Sequence, residues 1–308
     1  MKTILLTGAS GFLADKIFDT LSSLNKYQII MGARNTVKLS AVSKYNDIRK
    51  FDVSDVSTYE TALSGVDIVV HLAAMDFSEC EKNPELAHKV NVSDLEKFYN
   101  HCIDLGVKQF VYFSTIHVYG PNLSGVITEE SPTNPVNVYS KTHLEAERIV
   151  LADKRIEGIV VRLSNAIGKP LFDDSGAWKL VVNDLCRQAV KNREIRLQSS
   201  GKQLRDFISA SDIGNALDVI LEKNVSSNVY NLGSGNCLSI LDIVKIIQKS
   251  YMKIFHSIPA LEVKDEAFET ILRFEFSNKK ISLLGFKISK DLSDEIISIL
   301  DFIKLKKH

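Results

Sequence analysis

Five stretches of the chain are apolar almost without interruption: Thr3–Ala9 (TILLTGA), Tyr27–Ala33 (YQIIMGA), Asp67–Ala74 (DIVVHLAA), Gln109–Thr115 (QFVYFST) and Gly158–Ser164 (GIVVRLS). A strand with water on one face alternates polar and apolar residues, whereas a strand covered on both faces stays apolar throughout. Amphipathic segments of helix length separate most of the five. This alternation predicts an α/β fold whose parallel sheet is covered by helices on both faces. Beyond about residue 168 the pattern breaks up, starting with a turn-rich loop, Ile167–Gly176. The chain therefore divides into a sheet domain over 1–168 and a smaller, discontinuous region over 169–308. A later strand and helix, at about 205–235, return to the first domain. The final stretch, Leu292–His308, reads as an amphipathic helix ending in basic residues.

Composition narrows the range of partners. The 308 residues are 45% hydrophobic, enough for a sizeable core, and 38 basic residues balance 38 acidic ones. Zero net charge leaves no broad electrostatic footprint for nucleic acid. Cys80, Cys102, Cys186 and Cys237 are scattered without metal-ligand spacing, which suits a reducing compartment and predicts no metal site. No apolar run is long enough to cross a membrane, and a strand and glycine turn follow "MKT" directly. The expectation is a soluble cytoplasmic protein without membrane or nucleic-acid partners.

The first strand runs into "TGASGFLAD" (Thr7–Asp15), which then opens a helix. Gly8 and Gly11 allow a tight turn and close approach of a pyrophosphate to backbone N–H groups, and Ala14 is small enough for helix–strand packing. Placed between a strand and a helix, the turn points to a dinucleotide held by Gly8, Ser10, Gly11, Phe12 and Leu13. The fold class is accordingly a Rossmann-type doubly wound parallel sheet with a smaller discontinuous C-terminal substrate-binding region. At the end of the second strand stands Arg34, where an acidic residue would bind the adenosine 2′-hydroxyl of NAD. An arginine suits a 2′-phosphate, so NADP is slightly favoured over NAD.

Several further segments, in order along the chain, resemble the extended short-chain dehydrogenase/reductase family, in its branch acting on nucleotide-diphosphate sugars. They include "FDVSD" (Phe51–Asp55), "VVHLAA" (Val69–Ala74), "FSTIHVYG" (Phe113–Gly120), "RLSNAIGKP" (Arg162–Pro170), "RDFISASDIGNAL" (Arg205–Leu217) and "KKISLLGF" (Lys279–Phe286). The resemblance adds Asp52, Val53, Leu72, Ala73 and Ala74 to the expected cofactor contacts. It implies Thr115 at the reacting oxygen, Asn165 near the sugar diphosphate and Arg205 at the phosphates. A competing account of Arg205 is a structural salt bridge to Asp206 or Asp212. The resemblance also implies a homodimer joined through helices around Asn91–Leu105 and Val136–Ala152.

The family moves a hydride to or from a sugar carbon, and a proton must move with it. A tyrosine with a pKa near 10 needs a nearby cation to serve as a base at neutral pH. The family supplies Tyr-x-x-x-Lys, one helical turn apart. Here "VYSKTHLEAER" (Val138–Arg148) offers two registers: Tyr139 followed by His143, or Lys141 preceded by Asn137. The first also places Glu147 in the family's final position, and an asparagine cannot donate the proton. Tyr139 is therefore expected as the general acid/base, with His143, as imidazolium, in the lysine's place. After Thr115 come Ile116 and His117, where the family's 4,6-dehydratases carry an Asp-Glu pair. That argues against a dehydratase and leaves His117 as a second acid/base, a sugar contact or a structural histidine. The expected function is reduction of a 4-keto nucleotide sugar. The alternatives are a 4-epimerase with tightly bound NAD, or a catalytically weakened dinucleotide-binding sensor or scaffold.

Overall fold

The computed structural model describes residues 1–173, 176–223, 228–264 and 272–306. Seven strands form the main sheet: β1 (Lys2–Thr7), β2 (Tyr27–Ala33), β3 (Asp47–Lys50), β4 (Ile68–His71), β5 (Gln109–Thr115), β6 (Glu157–Leu163) and β7 (Asn228–Leu232). Their spatial order is β7-β6-β5-β4-β1-β2-β3, and every neighbouring pair is parallel. The order reverses between β1 and β4, which opens a crevice at the carboxyl ends of the strands.

Side chains alternate across the sheet and bury two separate cores. Ile4, Leu6, Val111 and Phe113 pack on one face with α1 (Phe12–Ser23), and Leu5, Phe110 and Tyr112 pack on the other with α2 (Leu95–Asp104) and α3 (Val138–Ala152). A third core lies outside the sheet, formed by α4 (Val181–Asn192), α6 (Ile240–Phe255) and α7 (Leu292–Leu305). Between β6 and α6 the chain returns to the first face through α5 (Ala210–Glu222), which meets α1 so closely that a Cβ on Gly214 would lie 2.5 Å from Thr20 Oγ1.

Short strands join the two halves. Asn165–Ile167 pairs in parallel with Leu204–Ser209, which pairs antiparallel with Cys237–Ser239. Among the described residues no helix is long and apolar enough to cross a membrane, and no cluster of three metal-ligating side chains occurs.

Candidate functional site

The glycine turn sits at the mouth of the crevice. Gly8 has φ +67°, and a Cβ there would lie 3.0 Å from the Ala73 backbone N, so the turn needs glycine for both its angle and its close packing. Gly11 N–H donates to Gly8 O at 2.7 Å, and a Cβ on Gly11 would sit 2.9 Å from that oxygen. Gly11 caps α1 without any side-chain hydrogen bond, so the first-turn N–H groups are left for an outside acceptor. These residues fit a dinucleotide pyrophosphate. Phe12 and Leu13 turn into the cleft below it, and Ser10 and Gly11 are exposed. Leu72 N–H donates to Thr7 Oγ1 at 3.2 Å, which fixes the β4 exit beside the turn. Ala73 and Ala74 continue along it. Arg34 follows β2, exposed and without an ion-pair partner among the described residues. Asp52 and Val53 occupy the turn after β3, where Asp52 Oδ1 accepts the Ser54 N–H at 3.0 Å and Val53 is buried.

The chemistry sits where α3 crosses the end of β5. Four residues of helix rise about 6 Å and two residues of strand about 6.6 Å, so side chains at i, i+4 on α3 meet side chains at i, i+2 on β5. His143 Nδ1 accordingly lies 2.7 Å from the Tyr112 hydroxyl, and Ser114 Oγ–H donates to Glu147. One turn earlier on α3, Tyr139 lies with Thr115 in the lining of the larger of two cleft chambers. The Tyr139 and His143 rings pack edge to face with centroids 4.5 Å apart.

Asn137, the other register's partner for Lys141, is the N-cap of α3. Its side chain accepts the Ser140 N–H at 2.8 Å, and the Ser140 hydroxyl caps it in return. Lys141 points to solvent. Beneath the site the Glu147 carboxylate grips the Arg162 guanidinium at 2.7 Å, and Arg162 donates to Tyr119 Oη at 2.8 Å.

Electrostatics differ from the expectation at His143. The side chain is 2% exposed and its Nε2 has no hydrogen-bond partner among the described residues. Burial pushes the imidazole down to about 3, with the nearby His117 adding to the effect. His143 is therefore neutral at pH 7 and does not supply the imidazolium expected in place of lysine. Burial also pushes the Tyr139 phenol up to about 12, and the neighbouring Thr115 hydroxyl only partly opposes this. Tyr139 holds its proton at neutral pH.

Two connected chambers receive these groups. The larger, of about 700 Å³, is lined by Phe12, Phe77, Thr115, Tyr139, Lys179 and Phe207 among others. The smaller, of about 460 Å³, is lined by Gly120, Asn122, Gln203, Leu204 and Phe274 among others. His117, Asn165 and Arg205 line both. Asn165 Nδ2 donates to the Asp206 carbonyl at 2.8 Å, which fixes its amide at the junction. Arg205 has no carboxylate partner among the described residues. Asp206 accepts from Ser234 and Asp212 accepts from Ser289, so the salt-bridge account of Arg205 fails. Burial pushes Arg205 down from its ordinary range. His117 is held by its backbone N–H, which donates to Thr115 Oγ1 at 3.2 Å, and its ring lies 6.3 Å from that of Tyr139.

Sequence reading missed Tyr112, Asp76 and Lys179. Tyr112 was findable from strand alternation, since it lies two residues before Ser114 on the α3-facing side. Asp76 carries the signature of an N-cap, Asp76 followed three residues later by Glu79, and it caps the helix Phe77–Lys82. Lys179, 2.7 Å from Asp76 across the larger chamber, had no local signal.

Residues 4–233 match the family model described as the NAD dependent epimerase/dehydratase family. The mouse dTDP-D-glucose 4,6-dehydratase is 25% identical over 326 residues, covering 100% of this chain and 90% of its own. The Bacillus cereus UDP-glucuronic acid 4-epimerase, solved with UDP-glucuronic acid and NAD, superposes with a TM-score of 0.83 at 21% identity and covers 99% of both chains. The protein RMD of Pseudomonas aeruginosa, solved with NADPH, gives a TM-score of 0.82 at 19% identity, covering 99% of this chain and 100% of its own.

Proposed function

The chain belongs to the NAD dependent epimerase/dehydratase family and is an enzyme of it, and from that premise we propose that it reduces the ketone of a 4-keto nucleotide-diphosphate sugar. The observation that carries the reading is the neighbour of Tyr139 one turn along α3: the His143 ring, 4.5 Å away and 2% exposed, is buried and neutral where a cation would stabilise the phenolate. A reduction consumes the proton that Tyr139 therefore keeps. An epimerase or a dehydratase must begin by taking a proton from a sugar hydroxyl, and no cation among the described residues stands beside Tyr139 to support the phenolate that would take it.

The reduced dinucleotide would be held by its pyrophosphate at the glycine turn, and its nicotinamide would supply the hydride. The protein's own part follows from the geometry. Thr115 and Tyr139 turn their hydroxyls to the ketone oxygen, where they stabilise the negative charge as it develops. Tyr139 delivers its proton to that oxygen and recovers one from the cleft. Arg205, without a carboxylate partner among the described residues, takes a phosphate of the substrate, with Asn165 beside it. Ile116 and His117 stand in place of the dehydratase carboxylates, which agrees with reduction and not with elimination. Exposed and without an ion-pair partner among the described residues, Arg34 supports NADPH as the reductant.

The test is a spectrophotometric assay of NADPH and NADH oxidation in the presence of UDP-4-keto-6-deoxyglucose and its dTDP counterpart. Turnover with NADPH ahead of NADH is expected, and Tyr139→Phe should lower kcat by about 10²-fold or more while leaving dinucleotide affinity in place. Interconversion of two 4-hydroxy sugars by protein purified with bound NAD, with no NADPH consumed, would instead establish the epimerase.

A further inference from the structure

We infer that Glu81 is a positioning residue for Tyr139, acting from outside the cleft on the first turn of α3. The inference rests on the reading of Tyr139 as the acid of a ketone reduction. Its first support is the set of backbone donors at the start of α3, four of which have no partner inside the helix. The capping box takes the first and the fourth. Asn137 N–H donates to Ser140 Oγ at 3.4 Å, and Ser140 N–H donates to Asn137 Oδ1 at 2.8 Å. The middle two belong to Val138 and to Tyr139 itself. Both donate to one oxygen, Glu81 Oε1, at 2.9 and 3.4 Å. A carboxylate there also meets the positive end of the helix dipole.

The second support is where Glu81 comes from. It lies 57 and 58 positions before its two donors, near the end of the helix Phe77–Lys82. Phe77, at the start of that helix, packs edge to face on the Tyr139 ring with centroids 6.0 Å apart. One short element therefore holds Tyr139 twice, by its backbone through Glu81 and by its ring through Phe77. The element is itself anchored, since Asp76 accepts the Glu79 N–H at 3.2 Å and pairs with Lys179 at 2.7 Å.

The third support is what the rest of α3 leaves undone. Its later turns are fixed to the sheet by His143 on Tyr112 and by Glu147 on Ser114 and Arg162. The capping box lies within the chain's own first turn, so it sets where the helix begins and not how that turn faces the sheet. Proton delivery from Tyr139 needs its hydroxyl placed to within a fraction of an ångström of the ketone oxygen's reach. Glu81 supplies the link to another element that the first turn otherwise lacks. Because Glu81 is exposed, its replacement opens no cavity.

The experiment uses the full chain with NADPH and UDP-4-keto-6-deoxyglucose, or its dTDP counterpart. Glu81→Ala should lower kcat about tenfold and leave dinucleotide affinity unchanged. Glu81→Gln, which keeps an acceptor oxygen at the same reach, should restore most of the loss. In a Tyr139→Phe background no hydroxyl is left to place, so Glu81→Ala should lower the residual rate no further. Amide hydrogen exchange should be about tenfold or more faster at Val138 and Tyr139 in Glu81→Ala, and close to wild type in Glu81→Gln. Wild-type kcat or unchanged exchange in Glu81→Ala would overturn the inference, and a loss on Tyr139→Phe would still leave the reductase standing. An equal tenfold loss on top of Tyr139→Phe would overturn it too, since Glu81 would then act through the fold at large. Full activity in Tyr139→Phe, or no reduction of either ketone, removes the reading of Tyr139 and the inference with it.

Discussion

At position 143 a helix that otherwise keeps the spacing of Tyr139 and Glu147 carries histidine. Its surroundings decide what that histidine can do. Tyr112 Oη stands 2.7 Å from Nδ1, and with the ring neutral the phenol is the natural donor to it, which leaves the proton on Nε2. The imidazole then packs against Tyr139 without lending it positive charge. Restoring a cation should undo this arrangement. In His143→Lys the Tyr139 phenol should fall by a unit or more, and oxidation of the reduced sugar by oxidised dinucleotide should gain at neutral pH relative to reduction, by about tenfold per unit. The measurement is the pH profile of both directions together with phenolate absorbance. Profiles that coincide with the wild type would mean that residue 143 has no hold on Tyr139. The family resemblance pointed to Thr115, Tyr139 and Arg205, and the structure brings all three to the larger chamber. The charge on His143 was not legible in advance, because it depends on burial among residues distant in sequence, such as Tyr112, 31 positions away.

The meeting of α3 with β5 and β6 shows how an element inherits its position. Glu147 is 2% exposed and Arg162 6%, and each is the other's main compensation. Removing one partner of such a pair leaves a buried charge unopposed. Glu147→Leu should therefore destabilise the fold by about 3–5 kcal/mol, and the double variant Glu147→Leu/Arg162→Met should recover most of that loss. Urea unfolding measures both. Equal midpoints for the single variant and the wild type would mean that Arg162 finds another acceptor, such as the Glu129 carbonyl, 3.4 Å away. The same element level explains which strands were visible in advance. The central strands are buried on both faces and so are written as apolar runs. β3, the outer strand Asp47–Lys50, reads DIRK because its side chains are only partly covered, and nothing in that composition separates it from a loop. The N-cap pair Asn137 and Ser140 fixes where α3 starts, and with it the register that places Tyr139 at the cleft.

For the molecule as a whole, two histidines are carried in the core without charge. His71 and His143 are each 2% exposed, and burial pushes both imidazoles down to about 3. Thr7 Oγ1 lies 3.0 Å from His71 Nδ1, and the ring stacks with those of Phe110 and Tyr112, so it sits in the same aromatic pile that leads to His143. The sign of the effect follows from linkage. Above about pH 6.5 neither the folded nor the unfolded chain protonates these rings, and they contribute nothing to the pH dependence. Below that value the unfolded chain takes up two protons that the folded one refuses, so stability falls as pH falls, at about 1.4 kcal/mol per pH unit for each ring. Carboxylates held low by ion pairs, such as Asp94 beside Lys89, act only near and below their ordinary value of about 4. The interval from pH 6.5 to 4.5 therefore isolates the histidines. Stability measured by urea unfolding should drop steadily across it, and His71→Gln or His143→Gln should each remove about 1.4 kcal/mol per pH unit of the slope, with His117, also held below its ordinary value, contributing near the top of the interval. A flat wild-type profile would show that the rings are protonated in the folded protein, and the charge state argued for Tyr139 would have to be rebuilt around a cation at position 143.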